Sequence, residues 1–286
     1  MKIVVTGPTG YLARFIILHL KSLGHEVITL TFNNLDPDDY ELITQDAGIE
    51  NCDVVINCAA AQVLGSSPNE IKELINANIY WPSVLLHALK EKNIRSSFIH
   101  IGSQWQKYDE EMDFPFNYYA ATKSALEPIM QHFALDGIKI AVVLLSDLVG
   151  PADYRNKLHT RVIKALRNNI PMDTTGGEQF MNLIHVNDAC SGITTAMDLT
   201  SSSTERVVYN KYNLCTANHI TVKELISEIA YRMNKNNLSE LIKFGALKYR
   251  DREKFNALSS KPNIRGWYPQ YTTNEIIDEL TKIRTG

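Results

Sequence analysis

The chain has 286 residues, 44% hydrophobic and 21% charged, with a formal net charge of −3. That is ordinary globular composition with apolar material for one large core or two lobes, and no basic stripe or charge run marks it as a binder of nucleic acid. Cys52, Cys58, Cys190 and Cys215 form no C-x-x-C pair, so neither a metal knuckle nor a disulfide framework is indicated; no apolar run can span a bilayer, and the first residues read as a strand rather than a leader, so the expectation is a cytoplasmic protein with no metal, membrane or nucleic-acid partner.

Lys2–Thr6 is a β-branched run of the kind that packs as a buried parallel strand. Gly7-Pro-Thr-Gly10-Tyr-Leu-Ala13 follows at once, and residues 14–23 read as an amphipathic helix stopped by Gly24. Strand, glycine turn and helix is the context that a dinucleotide-binding fingerprint needs. Gly7 permits the turn, Gly10 lets the backbone approach a pyrophosphate at the helix N-terminus, and Ala13 lets the helix lie close to the sheet. Gly7, Thr9, Gly10, Tyr11 and Leu12 are thus candidate cofactor contacts, the plain alternative being a tight turn with no ligand. Residues 26–31 form a second strand, and its end offers Thr31, Phe32, Asn33 and Asn34 where an acid would bond a ribose 2′-hydroxyl. With no acid there and Arg14 able to reach a 2′-phosphate, the balance tips to NADP over NAD, although Asp36, Asp38 and Asp39 count against a phosphate.

Residues 40–45 are a short strand candidate. Residues 53–60 are a stronger one, ending in Cys58, Ala59 and Ala60, where the backbone can pass close to a cofactor. Residues 68–92 form a long helix, kinked at Pro82 and carrying Asn78. Residues 96–102 are a strand with Ser103 just beyond it, 117–136 a helix closed by Gly137, and Lys139–Leu145 a strand leading to Gly150-Pro151. Strands alternating with helices predict an α/β doubly wound parallel sheet, with ligands at the carboxyl ends of its strands. Beyond Gly150 come a basic amphipathic helix over 154–168, a loop at 173–177, an extended stretch at 180–186 and a helix to about Leu199 capped by Asn187-Asp188. Residues 206–212 read as a strand rejoining the sheet, 221–233 as a helix capped by Thr221, 241–246 as extended, and a last helix starts at Asn274. The expected division is a dinucleotide domain of 1–150 plus about 186–214, and a smaller α/β substrate lobe of about 151–185 and 215–286.

Tyr119-Ala-Ala-Thr-Lys123 is the constellation that carries chemistry. Residues four apart share a helix face, and an ammonium beside a phenol lowers the phenol's pKa by stabilising the phenolate. Tyr119 then becomes a usable acid or base near neutral pH, and Lys123 can also bond a nicotinamide ribose. Tyr231 and Lys235 repeat the spacing without a serine partner and read as a surface coincidence; Tyr118 reads as packing or substrate lining. Ser103 at the end of its strand can give the reacting oxygen a second hydrogen bond. With Asn78 the set is Asn, Ser, Tyr, Lys in chain order.

These residues resemble the extended short-chain dehydrogenase/reductases of the NAD-dependent epimerase/dehydratase family over nearly the whole chain. The likeness rests on Gly7-x-x-Gly10-x-x-Ala13, Asn78, Ser103, Tyr119-x-x-x-Lys123, Gly150-Pro151, the stretch from Leu183 to Asp188, and Gly266-Trp-x-Pro269. It implies a Rossmann domain binding NAD or NADP and a lobe binding a nucleoside-diphosphate sugar, with Tyr119 as acid/base, Lys123 as ribose ligand, Ser103 as oxygen anchor and Asn78 supporting the lysine through water. The family's dehydratases follow the serine or threonine with Asp-Glu; here Gln104 and Trp105 stand there, which argues against loss of water. Asp147 replaces an asparagine that often touches substrate, and Met181 replaces an arginine. Arg250 and Glu253 match a late Arg-x-x-Asp motif, as diphosphate and ribose ligands; Arg155 is a weaker candidate. The sequence is similar above all to nucleotide-sugar 4-keto reductases that make deoxysugars for lipopolysaccharide, which implies NAD(P)H-dependent reduction of a hexose or heptose derivative. The alternatives are a 4-epimerase with retained NAD and, in another class, a non-catalytic dinucleotide-binding regulator. Helices at 69–92 and 117–136 resemble the family's dimer helices and imply a homodimer.

Overall fold

The computed structural model describes residues 1–32, 49–63, 65, 67–107, 114–253, 255 and 262–282. The strand candidate at 40–45, and Asn33, Asn34, Asp36, Asp38 and Asp39, lie outside them. The chain divides into two units, the first comprising Met1–Leu145, Ala189–Leu214 and Asn263–Trp267, the second Ser146–Asp188, Cys215–Pro262 and Tyr268–Gly286.

The first unit is built on a six-stranded sheet in which every pairing is parallel. Its strands are β1 (Lys2–Thr6), β2 (Glu26–Leu30), β3 (Val54–Asn57), β4 (Ser97–Ser103), β5 (Lys139–Leu145) and β10 (Tyr209–Leu214), in the spatial order β10-β5-β4-β3-β1-β2. Helices α1 (Tyr11–Ser22), α2 (Pro68–Ile75), α3 (Trp81–Glu91) and α4 (Tyr118–Leu135) supply the connections. Val4, Val55, Phe98 and Val142 of the sheet form one apolar cluster with Leu85, Leu86, Leu126 and Met130 of α3 and α4. The chain leaves β1 for β2 on one side and returns to β3 on the other. β1 is therefore the switch point, where an open α/β sheet has its crevice.

Several elements differ from expectation. The first helix begins at Tyr11 rather than Arg14, with Gly10 as its N-cap. The helix over 68–92 does not kink at Pro82 alone: a π turn, Asn76–Tyr80, separates α2 from α3, and Pro82 sits in the first turn of α3. A proline nitrogen cannot donate to the carbonyl four residues back, and the π turn shifts the hydrogen-bond register so that Trp81 N donates to Asn76 O. Segment Asn263–Trp267, read from sequence as part of the second lobe, belongs to the first unit. It is tied there by the Trp267 indole, which donates to Ser191 Oγ at 3.0 Å, and by Asn263, whose side chain accepts from Asn213 N at 2.6 Å.

Gly7 has φ +65°, and a Cβ there would stand 2.7 Å from Ala59 Cα. It is both the left-handed residue of the turn and the point where the turn packs on the backbone that leaves β3. Gly7→Ala should therefore cost about 3 kcal/mol from strain and overpacking together, read as a lower urea midpoint; an unchanged midpoint would contradict this packing.

In the second unit, α5 (Leu158–Asn168), α7 (Val222–Arg232) and α9 (Thr273–Lys282) share a core through Val162, Leu166, Leu225, Ile229, Ile276 and Leu280. The strands are short: β6 (Asp147–Val149), β7 (Met172–Asp173), β8 (Phe180–Met181), β9 (Leu183–His185), β11 (Ile220–Thr221) and β12 (Ile242–Lys243), the last following a short helix α8 (Leu238–Leu241). α5 begins later than the expected residue 154, because Arg155 is drawn into a turn by Asp153, which accepts from its backbone amide. Helix α6 (Val186–Ser201) is not capped by Asn187-Asp188. The Asp188 carboxylate instead accepts from Gln270 N and Tyr271 N at 2.9 and 3.0 Å. Buried His185 stacks on Tyr271 at 3.7 Å and pairs with Glu279 at 2.6 Å. The stretch from Leu183 to Asp188 thus anchors the C-terminal segment. Among the described residues no helix is long and apolar enough to cross a membrane.

Candidate active site

The carboxyl end of the first unit's sheet is held by a row of polar side chains inside an apolar core. The parallel register sets Thr6 beside Asn57 and Asn57 beside His100. Thr6 Oγ1 donates to Asn57 Oδ1 at 2.7 Å, and Asn57 Nδ2 donates to His100 Nδ1 at 2.9 Å. Thr6 Oγ1 in turn accepts from Ala59 N at 3.0 Å. The row fixes the exit of β3, so that Cys58, Ala59 and Ala60 run beside the glycine turn. His100 is fully buried, and burial, with Lys123 adding to it, holds its imidazole well below the ordinary value. Nothing in the sequence singled out this row, because only the register of β1, β3 and β4 brings its members together.

The glycine turn meets β2 as well, since Gly7 N donates to Leu30 O at 3.0 Å, which places Thr31 beside it. Gly10 N donates to Gly7 O, and Arg14 N to Gly10 O, the first bond of α1. The amides that precede that bond have no carbonyl partner within the helix. The first turn of α1 holds no acid, and a Cβ on Gly10 would stand 3.2 Å from Gly7 O. A helix start with such amides, no carboxylate and small residues fits a pyrophosphate. Thr9, Gly10 and Arg14 lie at its surface, whereas Tyr11 and Leu12 are buried.

Asn117 starts α4, its side chain accepting from Ala120 N at 2.9 Å. Tyr119 and Lys123 lie on the buried face, 9% and 1% exposed. Lys123 Nζ donates to Ile101 O at 2.9 Å, which pins the helix to β4. Burial brings the Lys123 ammonium down to about 8, with Cys58 pulling the other way. Burial pushes the Tyr119 phenol up to about 12, which corrects the expectation that the neighbouring lysine draws it down. Withdrawing a phenolate from water is costly, and Lys123 directs its ammonium to the Ile101 carbonyl instead. Burial likewise pushes the Cys58 thiol up to about 12 despite Lys123.

Asn78, buried within the π turn, accepts from Ala61 N at 3.0 Å and donates to Ala61 O and to Thr122 Oγ1. It therefore ties the exit of β3 directly to the helix of Tyr119 and Lys123. Ser103 ends β4; its Oγ accepts from Trp105 N at 3.2 Å and its own amide donates to Gln106 Oε1 at 2.8 Å. The Trp105 ring meets Phe116 edge-on at 5.3 Å. Gln104 is buried, with Nε2 lacking a partner. Sequence reading missed Gln106 and Thr122, whose signal was their place just beyond Ser103 and just before Lys123.

Four further candidates belong to the second unit. Asp147 accepts from Asn182 N at 3.3 Å, and burial raises its carboxyl against the pull of Lys157 and His159. Arg155 does not present an open charge: its guanidinium grips Asp153 through two bonds of 2.8 and 2.7 Å and donates to Leu148 O. His159 completes that cluster at 3.0 Å. Burial works to raise the Asp153 carboxyl, but the bonds from Arg155 and His159 prevail and hold it well below the usual range. Arg250 is exposed, and Glu253 N donates to its carbonyl in a turn. Tyr231 is 79% exposed, in keeping with a surface coincidence.

The profile of the NAD dependent epimerase/dehydratase family matches residues 3–215. A protein called CDP-abequose synthase from Salmonella typhimurium is 24% identical over 302 residues, covering 98% of this chain and 97% of that protein. Another of the same name, from Yersinia pseudotuberculosis, is 26% identical over 265 residues, covering 88% and 90%. A solved structure described as UDP-glucose 4-epimerase matches with a TM-score of 0.80 at 19% identity, covering 97% of this chain and 95% of that one, which is a likeness of fold.

Proposed function

Because the chain belongs to the NAD-dependent epimerase/dehydratase family, we propose that it reduces the 4-keto group of a nucleoside-diphosphate 6-deoxy sugar, a hexose or heptose derivative, in the making of surface-polysaccharide sugars. The protein is an NAD(P)-dependent short-chain dehydrogenase/reductase. The observation that carries the finer reading is the turn after β4, where Ser103 is followed by Gln104 and Trp105. A hydroxyl can hold a ketone oxygen, and neither following side chain can shuttle the proton that loss of water requires. Relatives named CDP-abequose synthase, aligned over nearly their full length, support the same reading.

The nicotinamide group, when bound, supplies the hydride that adds to C4. The amides at the start of α1 would hold its pyrophosphate, and Arg14 and Thr31 would face the adenosine ribose, which favours NADP. Ser103, its Oγ already accepting from Trp105 N, has its own proton to give to the ketone oxygen. The Tyr119 phenol, at about 12, is protonated at neutral pH and so starts the reduction loaded. It passes its proton to the oxygen as negative charge develops there. Lys123 would bond the nicotinamide ribose. Asn78 is a positioning residue in this scheme, acting through Ala61 and Thr122. Arg250 and Glu253 are proposed for the diphosphate and nucleoside ribose, with Asp147, Gln104 and Trp105 toward the sugar.

Purified protein, NADPH or NADH, and a panel of nucleoside-diphosphate 4-keto-6-deoxy sugars test this through nicotinamide absorbance. One reduced cofactor is expected to be oxidised for each sugar converted, faster with NADPH. Isomerised sugar with no net oxidation, and nicotinamide that copurifies, would establish the 4-epimerase instead. Cofactor binding with no conversion of any sugar would establish the regulator.

A further inference from the structure

Ser103 is held by a strut that runs by way of α4 to the edge strand β10. Gln106, 2% exposed, accepts from Ser103 N through Oε1 and donates through Nε2 to Glu127 Oε1, both at 2.8 Å. Glu127 Oε2 accepts from Lys211 Nζ at 2.6 Å and from the Tyr209 hydroxyl at 3.2 Å. Lys211 and Tyr209 stand on β10, the edge strand, paired with β5. The close approach depends on Gly102, where a Cβ would meet Gln106 Oε1 at 2.6 Å.

The chemistry of each partner fixes the direction of every bond. A backbone amide only donates and a carboxylate only accepts, so the glutamine must present its oxygen to Ser103 and its nitrogen to Glu127. Neither glutamate nor a flipped amide at this position satisfies both neighbours. Glu127 also lies four residues beyond Lys123 and eight beyond Tyr119, on the same stripe of α4. The strut therefore sets the serine against the very helix face that carries the phenol and the ammonium. Errors of a fraction of an ångström between such groups are felt in rate.

We propose that Gln106 and Glu127 are positioning residues for Ser103, locking its place relative to Tyr119 in the reacting geometry; the proposal rests on Ser103 acting as the oxygen anchor. The exchange Q106E/E127Q provides a specific test. In that variant the carboxylate at position 106 would accept from Ser103 N and from the side-chain amide at position 127. The amide oxygen at position 127 would accept from Lys211 and Tyr209, so every bond is rebuilt with the charge moved.

Steady-state kcat and KM should be measured for S103A, Q106A, S103A/Q106A, Q106E and Q106E/E127Q, with thermal melts and cofactor Kd for each. Q106A is expected to lower kcat about tenfold, the scale of one lost hydrogen bond, with cofactor Kd unchanged. In the S103A background it should cost nothing further, since no hydroxyl is left to position. Q106E should be at least as impaired as Q106A, and Q106E/E127Q should recover most of the loss. Losses that add between S103A and Q106A, or an exchange variant no better than Q106E, would overturn the strut while leaving Ser103 in its role. A wild-type kcat in S103A would overturn both, there being no anchoring serine to position.

Discussion

Tyr119→Phe is expected to lower kcat about a thousandfold while leaving cofactor affinity within about twofold. The substitution removes one oxygen from a side chain that is 9% exposed. Its volume hardly changes, so the fold should hold. What disappears is the proton for the ketone oxygen. Without it the alkoxide must form with only the Ser103 hydroxyl to share its charge, and general-acid catalysis of this kind is worth about 10² to 10⁴ in rate. A stopped-flow comparison with wild type, beside a fluorescence titration of cofactor, decides the matter. A variant that turns over at the wild-type rate would remove the phenol from the mechanism; one that loses cofactor binding would show it to be a cofactor ligand first.

Lys123→Met should abolish measurable turnover and at the same time stabilise the protein at neutral pH. Lys123 is 1% exposed, and burial lowers its ammonium from 10.5 to about 8. At about 1.4 kcal/mol per pH unit, that fall is a net charging cost of about 3 kcal/mol in the folded state, against which the variant loses the bond to Ile101 O, worth about 1 kcal/mol. The sign follows from proton binding. Between about 8 and 10.5 the unfolded chain holds a proton on this residue that the folded chain has released, so its contribution to stability rises with pH through that window and is lowest below it. The methionine variant carries no such charge. It should be more stable than wild type by about 2 kcal/mol at pH 7, with the gap closing as pH approaches 10.5. Urea unfolding of both proteins across that range measures it, and other groups that titrate there cancel in the difference. A wild type more stable than the variant at pH 7, with a gap insensitive to pH, would contradict the account of the lysine as a buried, strained cation.

The pattern of apolar runs made the sheet legible because parallel strands are buried on both faces and read as unbroken β-branched stretches. β1 and β5 match the expected bounds, and β10 rejoins the sheet as expected. Boundaries failed where side-chain chemistry intervened: at Arg155, drawn from α5 into a turn by Asp153, and at Asp188, whose carboxylate is taken by two distant amides. No local pattern reports a partner about eighty residues away. Ser103, Tyr119 and Lys123 were legible as candidates from their order and place along the chain. Their electrostatics were not, because burial decides the pKa of both Tyr119 and Lys123, and depth below the surface is a property of the fold. The polar row of Thr6, Asn57 and His100 escaped for the same reason; each is ordinary in its own strand, and only the register aligns them.

The central claim is that a hydride passes to C4 of a nucleotide-linked sugar while Tyr119 supplies the proton. Turnover with a cofactor deuterated at the transferring position of the nicotinamide, followed by mass and NMR analysis of the sugar, tests it most directly. The account predicts one deuterium in every product molecule, bound to C4 on a single face, with none incorporated by Tyr119→Phe on the same timescale. Product that carries no deuterium, or carries it at another carbon, would contradict it.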